Sequence, residues 1–489
     1  MALPPPRTPV IVGAGQVTRR DRDAEPIALM TACAEFALDD AGAPGLRGRV
    51  DAVRAVWGVW PYRDPGRLVA ERIGAPGART TMTTVGGNQV YDLVIDTAAR
   101  IEGGELDVAV ICAAESLRTR RADKAAGRRS EYLPEREGAA PDEVLGSDAP
   151  LSTADEERFG VTIPTTFYAM AETAIRHRTG ESPADHRARI AELWAGASRV
   201  AATYPGAWLG TPVTAEQVAT VTDRNRPVAA PYPKLMVSNL DVDQAGAIVM
   251  CSAEAAAAAG VPRDRWVFPH AGASAHDHWF VTNRWAFDES PAMRLTGSTA
   301  LGLAGVAHDD CELIDLYSCF PSAVQVAQRE LGVDPARPFT ITGGLTFGGG
   351  PLNCYCILPL TRSVELLRAG AQRAFLTGNG GWFTKHSALV LAAEPADGGF
   401  RTTPVQAEVD ALPSRPTASD RPPHATLETY TVTYGRTGEP DRGVVACLDA
   451  AGSRHFGHVT DPAAIADLLG RDVCGAAVGL RDDGVAELS

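Results

Sequence analysis

Apolar and polar positions alternate along the first part of the chain in the manner of an α/β protein. Val10-Ile11-Val12 is a short apolar run of the kind a buried strand makes. From Pro26 to Ala41 apolar residues recur at helical spacing (Ala28, Leu29, Ala32, Phe36, Ala37), and Gly42 stands where such a helix stops. Asp51 to Trp57 predicts the next strand. The turn Thr84-Val85-Gly86-Gly87-Asn88-Gln89 then opens a helix over Val90 to Ile101. Gly103-Gly104 ends it, and Asp107 to Cys112 reads as a fully buried strand.

The same order of signals returns later. Gly343 to Pro351 is a Gly-rich turn, and Cys356 to Leu367 has helical periodicity with Pro359 tolerable only near the first turn. Gly370 stops that helix, Ala374-Phe375-Leu376 is a strand, and Thr377-Gly378-Asn379-Gly380-Gly381 is its loop. The two copies lie roughly 260 residues apart, as expected of a degenerate internal duplication. Two such halves are expected to face each other and present their loops to one cleft.

Between the halves the text turns polar and rich in Arg, Glu and Pro, with a helical stretch inside Glu172 to Tyr204. This predicts an insertion over the cleft. Pro404 to Pro423 reads as a linker or edge segment, while Thr426 to Thr433 and Gly443 to Leu448 read as strands of a small β-rich tail. The expected organisation is an N-terminal half at 1–116 plus 234–262, an inserted loop domain at 117–233, a C-terminal half at 263–397 and an appended β-rich domain at 398–489.

At 489 residues the chain suggests several domains, and its 45% hydrophobic and 22% charged content is that of a globular protein. A formal net charge of −14 argues against nucleic acid as a partner, which would need a positive face. No apolar run reaches the length of a membrane span, and the first residues lack the layout of a signal peptide, so a cytoplasmic protein is expected. Nine cysteines without a C-x-x-C pair suggest neither a disulfide framework nor a zinc ribbon. The basic run Arg118, Arg120, Arg121, Lys124, Arg128, Arg129 is either a solvated loop or a phosphate-binding surface. Three histidines, His270, His276 and His278, lack the carboxylates or thiols to complete a metal set, so no metal is expected there. Gly13-Ala14-Gly15 lacks the third glycine of a dinucleotide fingerprint.

The Gly loops, together with Pro9-Val10-Ile11-Val12-Gly13-Ala14, Gly104-Glu105-Leu106-Asp107-Val108, Ala114-Glu115-Ser116 and Asp243-Gln244-Ala245-Gly246-Ala247, give the chain a family likeness. Over about residues 5–396 it resembles the thiolase superfamily, most closely the sterol-carrier-protein-2-type thiolases and the thiolase-like proteins grouped with acetyl-CoA acetyltransferases. Its tail resembles the additional C-terminal domain of one thiolase-like subgroup. The resemblance implies an α/β thiolase fold with two duplicated halves, and CoA or an acyl-CoA of lipid metabolism as ligand, with no separate cofactor. It implies acyltransferase chemistry only if the catalytic positions are intact, and they are not. Thr84 stands where the family has its nucleophilic Cys, Tyr317-Ser318-Cys319-Phe320 replaces the Asn-Glu-Ala-Phe or His-Asp-Cys-Phe motif, Gly350 replaces the His of Gly-His-Pro, and Leu376-Thr377-Gly378 replaces Cys-x-Gly.

Cys319 survives, and is either an acid/base or nucleophile partnered by His386, or a buried core cysteine. Lys385, one of only three lysines with Lys124 and Lys234, is either a ligand-facing ammonium or a surface residue. The expected ligand-binding residues are Thr84, Gly86, Gly87, Tyr317, Ser318, Gly349, Gly350, Gly378, Asn379, Gly380 and Lys385, because backbone N–H groups of such loops favour a carbonyl or oxyanion without any particular side chain. Two readings stay open: an acyl-CoA transferase with altered machinery, and a non-catalytic acyl-CoA-binding protein. A homodimer, or a protein partner recruited by the tail, is the remaining expectation about assembly.

Overall fold

The computed structural model describes residues 4–418 and 420–488. Strands β1 (Pro9–Arg19), β2 (Ala52–Ala55), β3 (Arg79–Thr83) and β4 (Val108–Ser116) alternate with helices α1 (Pro26–Asp40), α2 (Pro65–Arg72) and α3 (Gln89–Glu102). An excursion follows: α4 (Leu117–Ala125), β5 (Glu143–Leu145), α5 (Ala154–Arg158), α6 (Pro164–Thr179), α7 (Pro183–Ala201), α8 (Ala215–Ala219), β6 (Pro227–Ala229) and β7 (Tyr232–Pro233). The chain then returns through β8 (Asp243–Ser252) and α9 (Ala253–Ala259). The second half holds β9 (Phe268–His276), α10 (Pro291–Ala304), β10 (Leu313–Asp315), α11 (Pro321–Leu331), α12 (Gly344–Phe347), α13 (Ile357–Arg368), β11 (Arg373–Gly380), β12 (Lys385–Ala392) and β13 (Arg401–Thr402). After α14 (Gln406–Asp410) come β14 (His424–Tyr434), β15 (Pro440–Leu448), β16 (Arg454–Val459), α15 (Pro462–Gly470), β17 (Ala477–Leu480) and β18 (Ala486–Leu488).

The duplication is visible in the strand order. In the first sheet β2 runs parallel to β4, β4 antiparallel to β8, and β8 antiparallel to β1. In the second, β10 runs parallel to β11, β11 antiparallel to β12, and β12 antiparallel to β9. Helices α3 and α13, the two helices that follow the Gly turns, lie between the sheets: α3 packs on β4 and β12, α13 on β8 and β11. A helix with sheets on both sides must be apolar on most faces, and α3 buries Val90, Tyr91, Leu93, Val94, Ile95, Ala98 and Ile101. Helix α1 covers the outer side of the first sheet and α10 that of the second. Gly13 serves this packing, since a β-carbon there would lie 1.8 Å from the Ala37 carbonyl oxygen.

Two expectations need correction. Thr377 to Gly380 is not a loop but the end of β11, paired with β12 so that Asn379 faces His386 and Gly380 faces Lys385 in register. Small residues misled the reading: they are required by close packing, not by a turn. Within Pro404 to Pro423, read as linker or edge, the chain forms α14, which packs on β9.

The excursion is tied to both neighbours. Its strand β5 extends the first sheet beside β3, and its strand β6 pairs with β14 of the tail. A buried cation anchors β5. Arg54 of β2 is 1% exposed, donates to Thr97 at 2.6 Å and pairs with Asp96 at 2.5 Å, while Arg100 bridges Asp96 and Glu143 of β5. Arg100 still compensates Asp96 and Glu143 when Arg54 is removed, so Arg54→Ala is expected to cost about 1–3 kcal/mol through the lost buried charged hydrogen bonds. Urea denaturation followed by circular dichroism checks this, with a lowered midpoint expected.

Candidate functional site

The first Gly loop follows β3 and caps α3. Thr84 N donates to the Leu145 carbonyl of β5 at 2.9 Å, and Gly86 N donates to Asn353 Oδ1 at 3.1 Å. The Gly87 carbonyl accepts from the Cys356 thiol at 3.0 Å. Asn88 Nδ2 donates to Asp92 Oδ2 at 2.7 Å and to Ser387 Oγ at 3.3 Å, which joins the loop to β12. Lys385 is buried, and its ammonium donates to the Val85 carbonyl at 2.9 Å and to the Ser147 carbonyl at 3.5 Å. It therefore clamps the loop and is not a surface lysine. Burial pulls its pKa below the ordinary ammonium value, against the opposing charge of Asp92.

The end of β11 meets this loop backbone to backbone. A β-carbon on Gly378 would lie 2.9 Å from Asn88 Cα, and one on Gly380 would lie 3.0 Å from Gly86 Cα. One on Gly87 would lie 2.4 Å from the Asn379 carbonyl oxygen and 2.3 Å from the Tyr317 hydroxyl. So the structure brings Thr84, Gly86, Gly87, Tyr317, Gly378, Asn379, Gly380 and Lys385 together. Ser318 is buried against Gly344 of the other Gly turn. Gly349 packs on Gln244, and Gly350 N donates to the Asn239 carbonyl at 3.0 Å. A β-carbon on Gly350 would come within 3.1 Å of the Leu345 carbonyl and 3.2 Å of the Asn239 carbonyl, so a larger side chain is admitted only if the turn gives.

Cys319 and His386 are both buried, and each has other partners, though His386 Nδ1 has none. The Cys319 thiol is paired with the Tyr168 hydroxyl, and burial pushes it up to about 12. Tyr168 also accepts from Asn379 Nδ2 at 2.9 Å and stacks on Phe320 with ring centroids 4.6 Å apart. His386 Nε2 lies 2.9 Å from Ser290 Oγ, 2.9 Å from the Phe383 carbonyl and 3.4 Å from Asp277 Oδ2. Burial acts to raise the Asp277 carboxyl, but the hydrogen bond and charge of His386, with Arg284 and Ser290, outweigh it and hold it below the usual range. No hydrogen bond joins Cys319 to His386. In this structure His386 stands on β12 with Nε2 at the α10 cap and Cys319 lies beside Tyr168, so the two expected dyad members are not hydrogen-bonded to each other. Serine, histidine and aspartate here are not a hydrolytic triad: Ser290 donates to Asp277 at 2.5 Å and caps α10 by accepting from Met293 N.

The known proteins that this geometry matches are thiolase-like. A family model described as the thiolase-like protein type 1 additional C-terminal domain matches residues 404–485. The crystal structure of a monomeric SCP2-thiolase-like protein type 1 from Mycobacterium smegmatis is 31% identical, with a TM-score of 0.85, over 99% of this chain and 100% of that one. The chain belongs to the SCP2-thiolase-like protein type 1 family. The fold is also shared with an Ltp2-ChsH2(DUF35) aldolase (21% identity, TM-score 0.60, 80% of this chain and 99% of that one) and with an acetyl-CoA acetyltransferase from Syntrophomonas wolfei (16%, 0.57, 79% and 99%). No curated protein matches the sequence. Among the described residues no helix is long and apolar enough to cross a membrane.

In this thiolase-like protein the meeting point of the loops is nearly closed. The void lined by Tyr317, Thr377, Asn379, His386, Met293 and Thr296 is about 10 Å³, close to the least that holds one water. Of the buried polar atoms without a protein partner, Asn379 Oδ1 and His386 Nδ1 belong to residues that line it, Thr84 Oγ1, Asn88 Oδ1 and Gln89 Oε1 belong to the first Gly loop, and Gln244 lies against Gly349. A groove of about 650 Å³ between α7 and Pro335–Thr340 includes none of the expected site residues. Most of the basic run is paired: Arg118 and Arg121 with Asp241, Arg128 with Asp123, and Arg120 with the Val59 carbonyl. His270, His276 and His278 each bond a backbone carbonyl. Sequence reasoning missed Tyr168, Asn353, Asp277 and Ser290. Asn353 lay two residues beyond a quoted motif, whereas Tyr168 carried no local signal at all.

Two carboxyl groups near the site titrate high. Glu115, at the end of β4, accepts from Val59 N at 2.6 Å, and Asp315, at the end of β10, accepts from Thr340 Oγ1 at 2.8 Å and Ile341 N at 3.0 Å. Burial pushes each up to about 7. The folded state therefore holds these protons more tightly than the unfolded chain. Their stabilisation is complete below about pH 4 and is lost as pH rises through about 7. The melting temperature is expected to fall over that window. Scanning calorimetry at stepped pH should show a shallower fall for Asp315→Asn and Glu115→Gln.

Proposed function

We propose that this thiolase-like protein binds CoA or an acyl-CoA and does not carry out thiolase condensation or cleavage. The observation that carries the second half is the burial of Cys319 beside Tyr168, which disfavours its thiolate. A thiol with a pKa near 12 is almost wholly protonated at neutral pH, and the thiolate is the nucleophile. Thr84 offers a hydroxyl with no base beside it, and no imidazole stands at Gly350. General acid–base help alone is worth roughly 10²–10⁴-fold, and it is missing at several positions together. An acyltransferase with altered machinery is the less supported reading, because no hydrogen bond links Cys319 to His386, whose Nε2 is taken by Ser290 and the Phe383 carbonyl.

The binding half is supported by the unpartnered polar atoms of the first Gly loop and of Asn379 and His386 in the void. Each such atom costs about 1–3 kcal/mol if it stays unpaired, so a polar ligand or water there relieves it. Tyr317 lies over Gly87, so an acyl group bound between the loops would require that ring to move. A protein partner recruited through the C-terminal domain is the second reading, supported by the shared fold of the Ltp2-ChsH2(DUF35) aldolase.

Calorimetric titration with CoA, acetyl-CoA and a long-chain acyl-CoA is expected to give heat and a raised melting temperature for at least one of them. Absence of both with all three at millimolar concentration would leave the partner reading. Thiolysis of acetoacetyl-CoA is expected at background rate, and robust turnover would overturn the non-catalytic reading. Tyr317→Ala is expected to tighten long-chain acyl-CoA relative to CoA. An unchanged ratio in the same titration would place the acyl group elsewhere.

A further inference from the structure

Outside the Gly loops, one cluster among the described residues combines three kinds of metal donor. His177 lies in the last turn of α6, and Asp472 and Cys474 follow α15 in the C-terminal domain. One imidazole nitrogen, a carboxylate oxygen and the thiol sulfur all lie within 4.8 Å of one another. His177 Nδ1 is 2.7 Å from Asp472 Oδ2. The other oxygen, Asp472 Oδ1, accepts from Cys474 N at 3.1 Å and lies 3.5 Å from the Arg176 guanidinium. Arg176 is fixed in turn on the Tyr430 hydroxyl at 2.7 Å. The carboxylate is thus held from behind, with Oδ2 turned to the imidazole.

We propose that His177, Asp472 and Cys474 form a binding site for a borderline-soft divalent cation of the Zn²⁺ type, which ties the C-terminal domain to α6. The donor set selects the ion. Imidazole with thiolate suits zinc and cobalt, whereas magnesium and calcium prefer oxygen alone. Zinc holds nitrogen and oxygen donors at about 2.0–2.2 Å and sulfur at about 2.3 Å, so the three atoms close around it by moving about an ångström. Three protein ligands leave a fourth position for water. The carbonyls at the C-terminus of α6 favour a cation, and Arg176 serves as the outer partner that orients the ligating carboxylate. Arg176 also adds positive charge, which Asp472 and the thiolate offset. On ligation Cys474 releases its proton to solvent. His177 keeps its proton on Nε2, so that the Nδ1 lone pair faces the metal.

Access is available, because His177 is half-exposed and Cys474 is the one cysteine of nine that is not buried. The site stands apart from the loops and does not depend on what they bind. The test uses the full chain, freed of metal with a chelator and titrated with Co²⁺ as a spectroscopic probe. A thiolate-to-cobalt charge-transfer band in the near ultraviolet is expected, lost on adding Zn²⁺. Cys474→Ser should abolish the band, and His177→Asn should weaken Co²⁺ binding at least about ten-fold, since even outer-shell changes cost metal sites about that much. Both side chains are partly exposed, so unchanged circular dichroism is expected of the variants. In a second measurement, Zn²⁺ should slow alkylation of Cys474 and raise the melting temperature of the wild type, but not that of Cys474→Ser. No band with the wild type, or a band that persists in Cys474→Ser, overturns the proposal.

Discussion

Two stretches of backbone from opposite halves touch with no side chain between them. Gly87 of one lies against Asn379, and Gly378 and Gly380 of the other lie against Asn88 and Gly86, at separations where a β-carbon would come 2.4–3.0 Å from main-chain atoms. This contact sets the spacing of the sheets around α3. Overpacking of well-packed sites typically costs about 1–3 kcal/mol, and here the neighbour is backbone, which cannot rotate away. The surrounding bonds follow from that closeness. Lys385 reaches the Val85 carbonyl, Asn88 reaches Ser387, and Asn353 holds the Gly86 amide.

With the halves so close, what fills the remaining space decides the chemistry. Aromatic rings take most of it: Tyr317 over Gly87, edge-on to Tyr355, and Tyr168 stacked on Phe320. Such surroundings keep Cys319 a neutral thiol and leave several polar atoms unpartnered. Fold and site are thus separable in this protein. The duplicated scaffold is shared with thiolase-like structures, while the loops that meet here carry glycine and threonine beside a buried cysteine.

The excursion and the C-terminal domain form a second level of organisation. Strand β6 joins the tail's sheet, and Thr429 of β14 donates to the Met170 carbonyl of α6 at 2.6 Å. The same helix carries His177 to Asp472. Helix α6 therefore links the central scaffold, through Tyr168, to the C-terminal domain, through Met170, Arg176 and His177.

Periodicity and punctuation made the duplicated α/β pattern legible in the sequence. Apolar runs at Val10 and Asp107, helical spacing at Pro26 and Val90, and stops at Gly42 and Gly103 are local signals, written by the burial each element requires. That Thr84 and Gly350 carry no thiol or imidazole was equally plain, since identity needs no coordinates. Pairing between distant residues was not legible. That Gly378 to Gly380 finish a strand, that Lys385 clamps Val85 and that Cys319 faces Tyr168 depend on side-chain directions set by strand register. The cluster of His177 with Asp472 and Cys474 spans nearly 300 residues of sequence. Tertiary structure alone decided these, because hydrogen bonding and desolvation act over a few ångströms of space, whatever the separation along the chain.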